Sequence, residues 1–234
     1  MEKYYFITED STKIGVPSYL EAGLYEEFVE KESYIEQYTF PPLDLKFTPA
    51  WRREIFQENR VAMPEKLVLI NKHKKIDFDF FKKDGGFIVS NEFKSIIDSV
   101  NHPQYVLSHL DIKTREGNIN TKKEYWYIKF IERSPCIDFE QSEVKLLTKD
   151  FTIEQPRIDK YLNKLILNSN LFFHKELFYI DNAYLDSFLF CNQETADKIT
   201  SAKIKTVKVQ EISSFFDYLY DMLSMNKKTK MIIN

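Results

Sequence analysis

The sequence predicts an α/β protein, with α+β as the alternative, built as a mixed sheet with packed helices that contains two related strand-helix-strand units. An internal similarity carries this expectation. Phe87-Ile88-Val89-Ser90 leads into residues 92–100 and then 105–112, while Leu189-Phe190-Cys191-Asn192 leads into residues 194–202 and then 203–212. In each copy an apolar strand ends on a good helix N-cap, Ser90 or Asn192, and an acid, Glu92 or Glu194, follows two positions later, where it faces the positive end of the helix dipole. The second strands close alike on Asp111-Ile112 and Glu211-Ile212. Two copies are too few for a solenoid, so the similarity points to a duplicated βαβ-like unit within one fold or to two related lobes.

The remaining elements follow from spacing. Residues 4–7 read as an opening strand, and residues 20–38 as a helix with Leu20, Leu24, Phe28 and Ile35 on one face, stopped by Pro41-Pro42. Residues 40–64 hold four prolines and Trp51 and are expected to wrap the fold in an ordered way. Residues 67–70 form a short buried strand. The basic run Lys72, His73, Lys74 and Lys75 follows; it is read as a solvated loop, the alternative being a phosphate or nucleic-acid contact. Tyr125, Tyr127, Lys129 and Ile131 alternate with Trp126, Ile128 and Phe130 in a further strand. After Pro156, the spacing of Ile158, Tyr161, Leu162 and Leu165 predicts a helix, and residues 171–180 a strand. Phe215, Leu219, Met222 and Leu223 mark a C-terminal amphipathic helix that packs on the sheet, with a frayed Asn226-Lys227-Lys228 tail beyond it. The chain accordingly divides into an N-terminal wrapping region with strand and helix (1–84), the first unit plus its following strand (85–150), and the second unit with the C-terminal helix (151–234), in one compact fold.

The 234 residues are 43% hydrophobic and 29% charged, the regime of an ordered globular chain. The 20 Phe and 14 Tyr against 5 Gly suit sheets, broad aromatic cores and protein-contacting surfaces, the competing explanation being genome composition, since Phe and Tyr codons, like those of Lys, Asn and Ile, are AT-rich. A net charge of −3 argues against a sequence-independent nucleic-acid binder. With no basic n-region and apolar h-region at the start and no apolar run beyond strand length, neither export nor a membrane partner is expected, and the cytoplasm is the expected compartment. Cys136 and Cys191 are read as reduced, partly buried thiols.

No nucleophile elbow, phosphate loop or HExxH spacing is present, and Gly85-Gly86 precedes a strand rather than joining strand to helix. His73, His102, His109 and His174 are too scattered for a metal site. The segment from Ser134 to Glu143 gathers Asp138, Glu140 and Glu143 near Cys136 and Ser142. Nothing close in sequence activates either nucleophile, and Asp138 and Ser142 serve equally as turn and cap residues. A non-catalytic protein without cofactor or metal is therefore expected; an enzyme with an unrecognised site and another protein-binding or regulatory module are the alternatives.

The stretch Cys136-Ile137-Asp138-Phe139-Glu140-Gln141-Ser142-Glu143, the Tyr4-Tyr5 start, the strand-to-helix steps at 87–92 and 190–194, and Leu177-Phe178 occur in an order that resembles the immunity-protein-eleven family of bacterial polymorphic-toxin systems. Cys191-Asn192-Gln193 departs from that family's more usual Ser-Asp or Ser-Glu step. The resemblance implies a small α/β protein that binds and blocks a cognate toxin. Carboxylates at Asp138, Glu140, Glu143, Asp77 and Asp79 would then be partner-binding residues, steering association with a cationic toxin.

Overall fold

The computed structural model describes residues 3–10, 12–17, 22–30, 63–119, 121–131, 136–146, 158–168, 170, 175–180, 185, 188–202, 204–223 and 230–233. In chain order the strands among them are β1 (Tyr4–Glu9), β2 (Gly23–Tyr25), β3 (Lys66–Asn71), β4 (Phe80–Lys83), β5 (Gly86–Ser90), β6 (Tyr105–Thr114), β7 (Tyr125–Phe130), β8 (Glu143–Leu146), β9 (Ile158–Leu167), β10 (Leu177–Tyr179), β11 (Leu189–Asn192), β12 (Val207–Glu211) and β13 (Lys230–Ile233). The helices are α1 (Asn91–Asp98), α2 (Gln193–Ser201) and α3 (Phe215–Leu223). They build sheets of order β2-β3-β6-β7-β5-β4, β10-β11-β1-β12 and β13-β9-β8.

The predicted duplication is present as two split β-α-β lobes. In the first, β5 enters α1 and β6 leaves it, with β7 between them antiparallel to both. In the second, β11 enters α2 and β12 leaves it, with β1 between them antiparallel to both. Each entering strand also carries an antiparallel neighbour on its outer side, β4 on β5 and β10 on β11. Both helix starts are capped as the sequence expects: Ser90 Oγ accepts from Phe93 N at 3.2 Å, and Asn192 Oδ1 from Thr195 N at 3.0 Å. The β4–β5 turn puts Asp84 and Gly85 at φ of 49° and 72°, a sequence and geometry suited to a tight two-residue hairpin. The next glycine answers a different need. A Cβ on Gly86 would lie 2.6 Å from both the Ile128 carbonyl oxygen and the Tyr127 ring.

Strand alternation distributes the side chains between cores. On β1, Tyr4 and Phe6 face one core and Ile7 another; on β11, Phe190 faces the first and Leu189 and Cys191 the second. The first core lies between the second lobe, α3 and the β9–β13 pair, where Phe215 meets Phe6 at 5.1 Å and Phe188 at 5.0 Å between ring centroids. The second core is the seam between the lobes, uniting Phe93 and Ile97 of α1 with Ala196 and Ile199 of α2. There Tyr179 stacks on Phe130 at 5.8 Å and meets Phe87 edge-on at 6.1 Å. A third core on the far side of the six-stranded sheet holds Leu24, Leu67, Leu69, Phe78, Tyr125 and Tyr127.

Two expectations are overturned. The helix expected over residues 20–38 is instead β2 within its described part: Leu24 and Tyr25 enter cores on opposite sides of the sheet, a period of two, and β2 pairs antiparallel with β3. The helix expected after Pro156 is β9, held between β8 and the parallel β13. Its Leu165, Ile166 and Leu167 are all buried, so burial is continuous where an amphipathic helix would turn a face outward. The expected strand over residues 171–180 is described only as the shorter β10. Beyond α3 the chain returns as β13, with Met231 in the core. Residues 31–62, which include Pro41, Pro42 and Trp51, lie outside the described residues, as do 226–228.

Ser90→Ala and Asn192→Ala are each expected to lower unfolding free energy by about 1 kcal/mol in urea titrations, because each removes one cap. Gly86→Ala is expected to cost more, roughly 1–3 kcal/mol by the same measurement, because the strand has no room for a methyl group.

Candidate protein-contact surfaces

The five candidate carboxylates fall in two places. Asp77 and Asp79 lie on the approach to β4, at the seam. Asp79 is 2% exposed, and its Oδ1 accepts from Lys123 Nζ at 2.6 Å. Its Oδ2 accepts from the backbone N–H of Lys205 at 2.7 Å. Asp77 meets Lys205 Nζ at 2.8 Å and Lys123 Nζ at 3.1 Å. The hydrogen bond from Lys205 outweighs partial burial and, with Lys123 adding to it, holds the Asp77 carboxyl below its ordinary value of 3.8. Burial pulls the Lys123 ammonium down, but its hydrogen bonds to Asp79 and Asp77 outweigh that and leave its pKa above 10.5. Two carboxylates and two ammonium groups thus neutralise one another, joining residues more than 120 positions apart.

The second lobe contributes a matching contact. Glu176, just before β10, accepts the Asn101 N–H on Oε2 at 2.7 Å, as Asp79, just before β4, accepts the Lys205 N–H. Each backbone carbonyl also receives the last residue of the neighbouring strand: Ser90 N donates to Asp79 O and Asn192 N to Glu176 O, both at 3.0 Å. Each lobe therefore grips the chain beyond the other lobe's helix.

Asp138 shapes a turn. Its Oδ1 accepts from Glu140 N at 3.1 Å and Gln141 N at 2.9 Å, and its own N–H donates to Ile166 O at 2.9 Å. Ser142 Oγ accepts from Ile166 N at 2.8 Å. The segment that gathers acids, serine and cysteine is thus stitched to β9, leaving Glu140 and Glu143 exposed on its rim. Cys136 and Cys191 are both fully buried, and burial pushes each thiol up to about 12. Lys72, Lys74 and Lys75 are exposed in the loop after β3. Among the described residues, no group of three or more His, Cys, Asp or Glu side chains is placed to hold a metal ion, and no helix is long and apolar enough to cross a membrane.

Two surfaces were not singled out from sequence. On the six-stranded sheet Trp126 meets His109 edge-on at 5.3 Å and lies under Lys94 Nζ at 5.7 Å, beside the 39%-exposed Leu107. On the four-stranded sheet β12 is an edge, with Val207 and Val209 half-buried and Lys208 and Glu211 exposed. The sequence signal for this edge is the internal similarity, which aligns β12 with β6.

Asp79→Ala is expected to cost about 3 kcal/mol in chemical denaturation, since it strips partners from Lys123 and the Lys205 amide, whereas Glu140→Gln and Glu143→Gln should each stay within about 0.5 kcal/mol. Because the folded-state pKa of Asp77 is depressed, its contribution to stability is complete above its unfolded value and is lost as pH falls through the folded one. Lys205→Met should therefore make the fall in stability below about pH 4 shallower, as read from melting curves across an acid series. Neither thiol should react with iodoacetamide at neutral pH in the folded chain, while both should react in denaturant.

The family described as Immunity protein 43 matches residues 8–222, a span that includes strands of all three sheets. No curated protein is similar enough to the chain to count as a relative. The number differs from that of the immunity-protein-eleven resemblance, and the immunity-protein designation is what the two share. The short motifs behind that resemblance are capped strand-to-helix steps and an aspartate turn, which the fold requires locally and which do not separate one family from another. Matched over most of its length, the chain belongs to the immunity protein 43 family.

Proposed function

We propose that this chain binds a cognate bacterial toxin directly in the cytoplasm and neutralises it without catalysis. The family match over residues 8–222 carries the reading, because an immunity protein has a toxin as its counterpart. The site chemistry is compatible. The two thiols are buried and raised far above neutral pH, and Asp77, Asp79 and Asp138 are engaged in holding the fold. A rigid scaffold with half-exposed strand edges and aromatic side chains suits recognition of another protein, since little ordering entropy is lost on docking.

The test is co-expression with the toxin domain encoded beside it. Cytoplasmic expression of the immunity chain should restore growth, and the two proteins should co-purify in a defined ratio. Failure to rescue despite soluble expression would overturn the neutralisation reading. A toxin that kills only when sent to the periplasm would overturn the compartment.

A further inference from the structure

We propose that the outer edge of β12 is the toxin-binding element, and that it takes up an extended segment of the toxin running parallel to it; this rests on the toxin-binding reading above. The two lobes share one strand plan, but their sheets continue differently. In the first lobe β6 is followed outward by β3, which lies parallel to it with Lys66 opposite His109 and Val68 opposite Asp111. In the second lobe β12 occupies the place of β6, and among the described residues it pairs only with β1.

Backbone direction makes the comparison sharper. In an antiparallel pair, the N–H and C=O of one residue point to the partner and those of the next point away. Gln104 O accepts from Ile131 N at 2.9 Å, so even-numbered residues of β6 turn towards β7 and odd-numbered ones away. Accordingly His109 N reaches outward to Glu65 O at 3.0 Å. Thr206 O accepts from Asp10 N at 2.7 Å, which by the same rule turns Lys208 and Gln210 towards β1. The N–H groups of Val207, Val209 and Glu211 and the carbonyls of Val207 and Val209 face outward, while the Glu211 carbonyl accepts from Ser214 Oγ at 2.7 Å. Aligning Asp111-Ile112 with Glu211-Ile212 places these three at the positions of Leu107, His109 and Asp111, and β3 lies opposite the last two of these in the first lobe.

Among the described residues the edge is open to a visitor. β12 keeps a regular register with β1 over all five residues and contains no proline, two of the devices that usually close an edge being absent. Its exposed Lys208 is held by Asp10 at 3.1 Å on the flank of the strand. The occupant seen in the first lobe is parallel and different in sequence from the strand that it joins. A second copy of this chain, related by a two-fold axis, would bring β12 against β12 antiparallel. A heterologous strand, with apolar residues to set beside Val207 and Val209, fits that arrangement.

Backbone hydrogen exchange by NMR on the full chain, free and bound to its cognate toxin domain, tests this directly. In the free chain the amides of Val207, Val209 and Glu211 should exchange much faster than those of Lys208 and Gln210, and complex formation should slow them by about tenfold or more. Val209→Pro removes an outward donor without taking a bond from β1 and should weaken binding by about tenfold or more. If that variant does not fold, the exchange pattern of the unaltered chain decides. A complex in which these three amides still exchange freely would overturn the edge assignment while leaving toxin binding intact. Absence of any complex would overturn both. Protection that grows with the chain's own concentration, without toxin, would assign the edge to a second copy and overturn the proposal.

Discussion

The carboxylate of Asp79 is the constraint around which the two lobes are fitted. An ionised group at 2% exposure is costly unless every lone pair is met, and its partners come from both sides of the seam. Lys123 belongs to the approach to β7, and the Lys205 amide to the approach to β12. Docking the lobes in another register would leave a buried charge without its donors, so the pair discriminates between arrangements more than it adds stability. Tyr179, packed against both Phe87 and Phe130, supplies the apolar part of the same seam. The contact from Glu176 matches it on the other side but is more exposed, with 29% of its side chain open, so the two halves of the latch are unequal.

The parts of this fold that were legible from sequence are those decided locally. Ser90 and Asn192 cap helices whose first turns carry their own acids, and no distant residue is needed to read them. The parts decided by distant pairing were hidden. Spacing at Ile158, Tyr161, Leu162 and Leu165 suits a helix, and β8 and β13 make it a strand. Tyr4 to Ile7 is legible as a strand, but nothing in it announces that β1 sits between β11 and β12, nearly the length of the chain away. The candidate acids follow the same division. The aspartate turn at Asp138 was read as a possible structural element from its neighbours, whereas the neutralisation of Asp77 and Asp79 depends on Lys123 and Lys205, which no local pattern links to them.

The aromatic excess also has a location. The described Phe side chains lie largely in the interior, where Phe6, Phe188, Phe190 and Phe215 form one connected group and Phe80, Phe87 and Phe93 another. Aromatic mass goes here into packing within each lobe and across the seam.

The central place of β1 in the second lobe has a further consequence for timing. Tyr5 hydrogen-bonds through its hydroxyl to Gln193, 188 residues later, and both neighbours of β1 are made long after it. At about 5–20 residues per second, a ribosome leaves that apolar strand waiting for roughly 10–40 seconds before its sheet can close. The first lobe has all its strands much earlier. The first lobe's sheet can therefore close while β1 still lacks both of its neighbours.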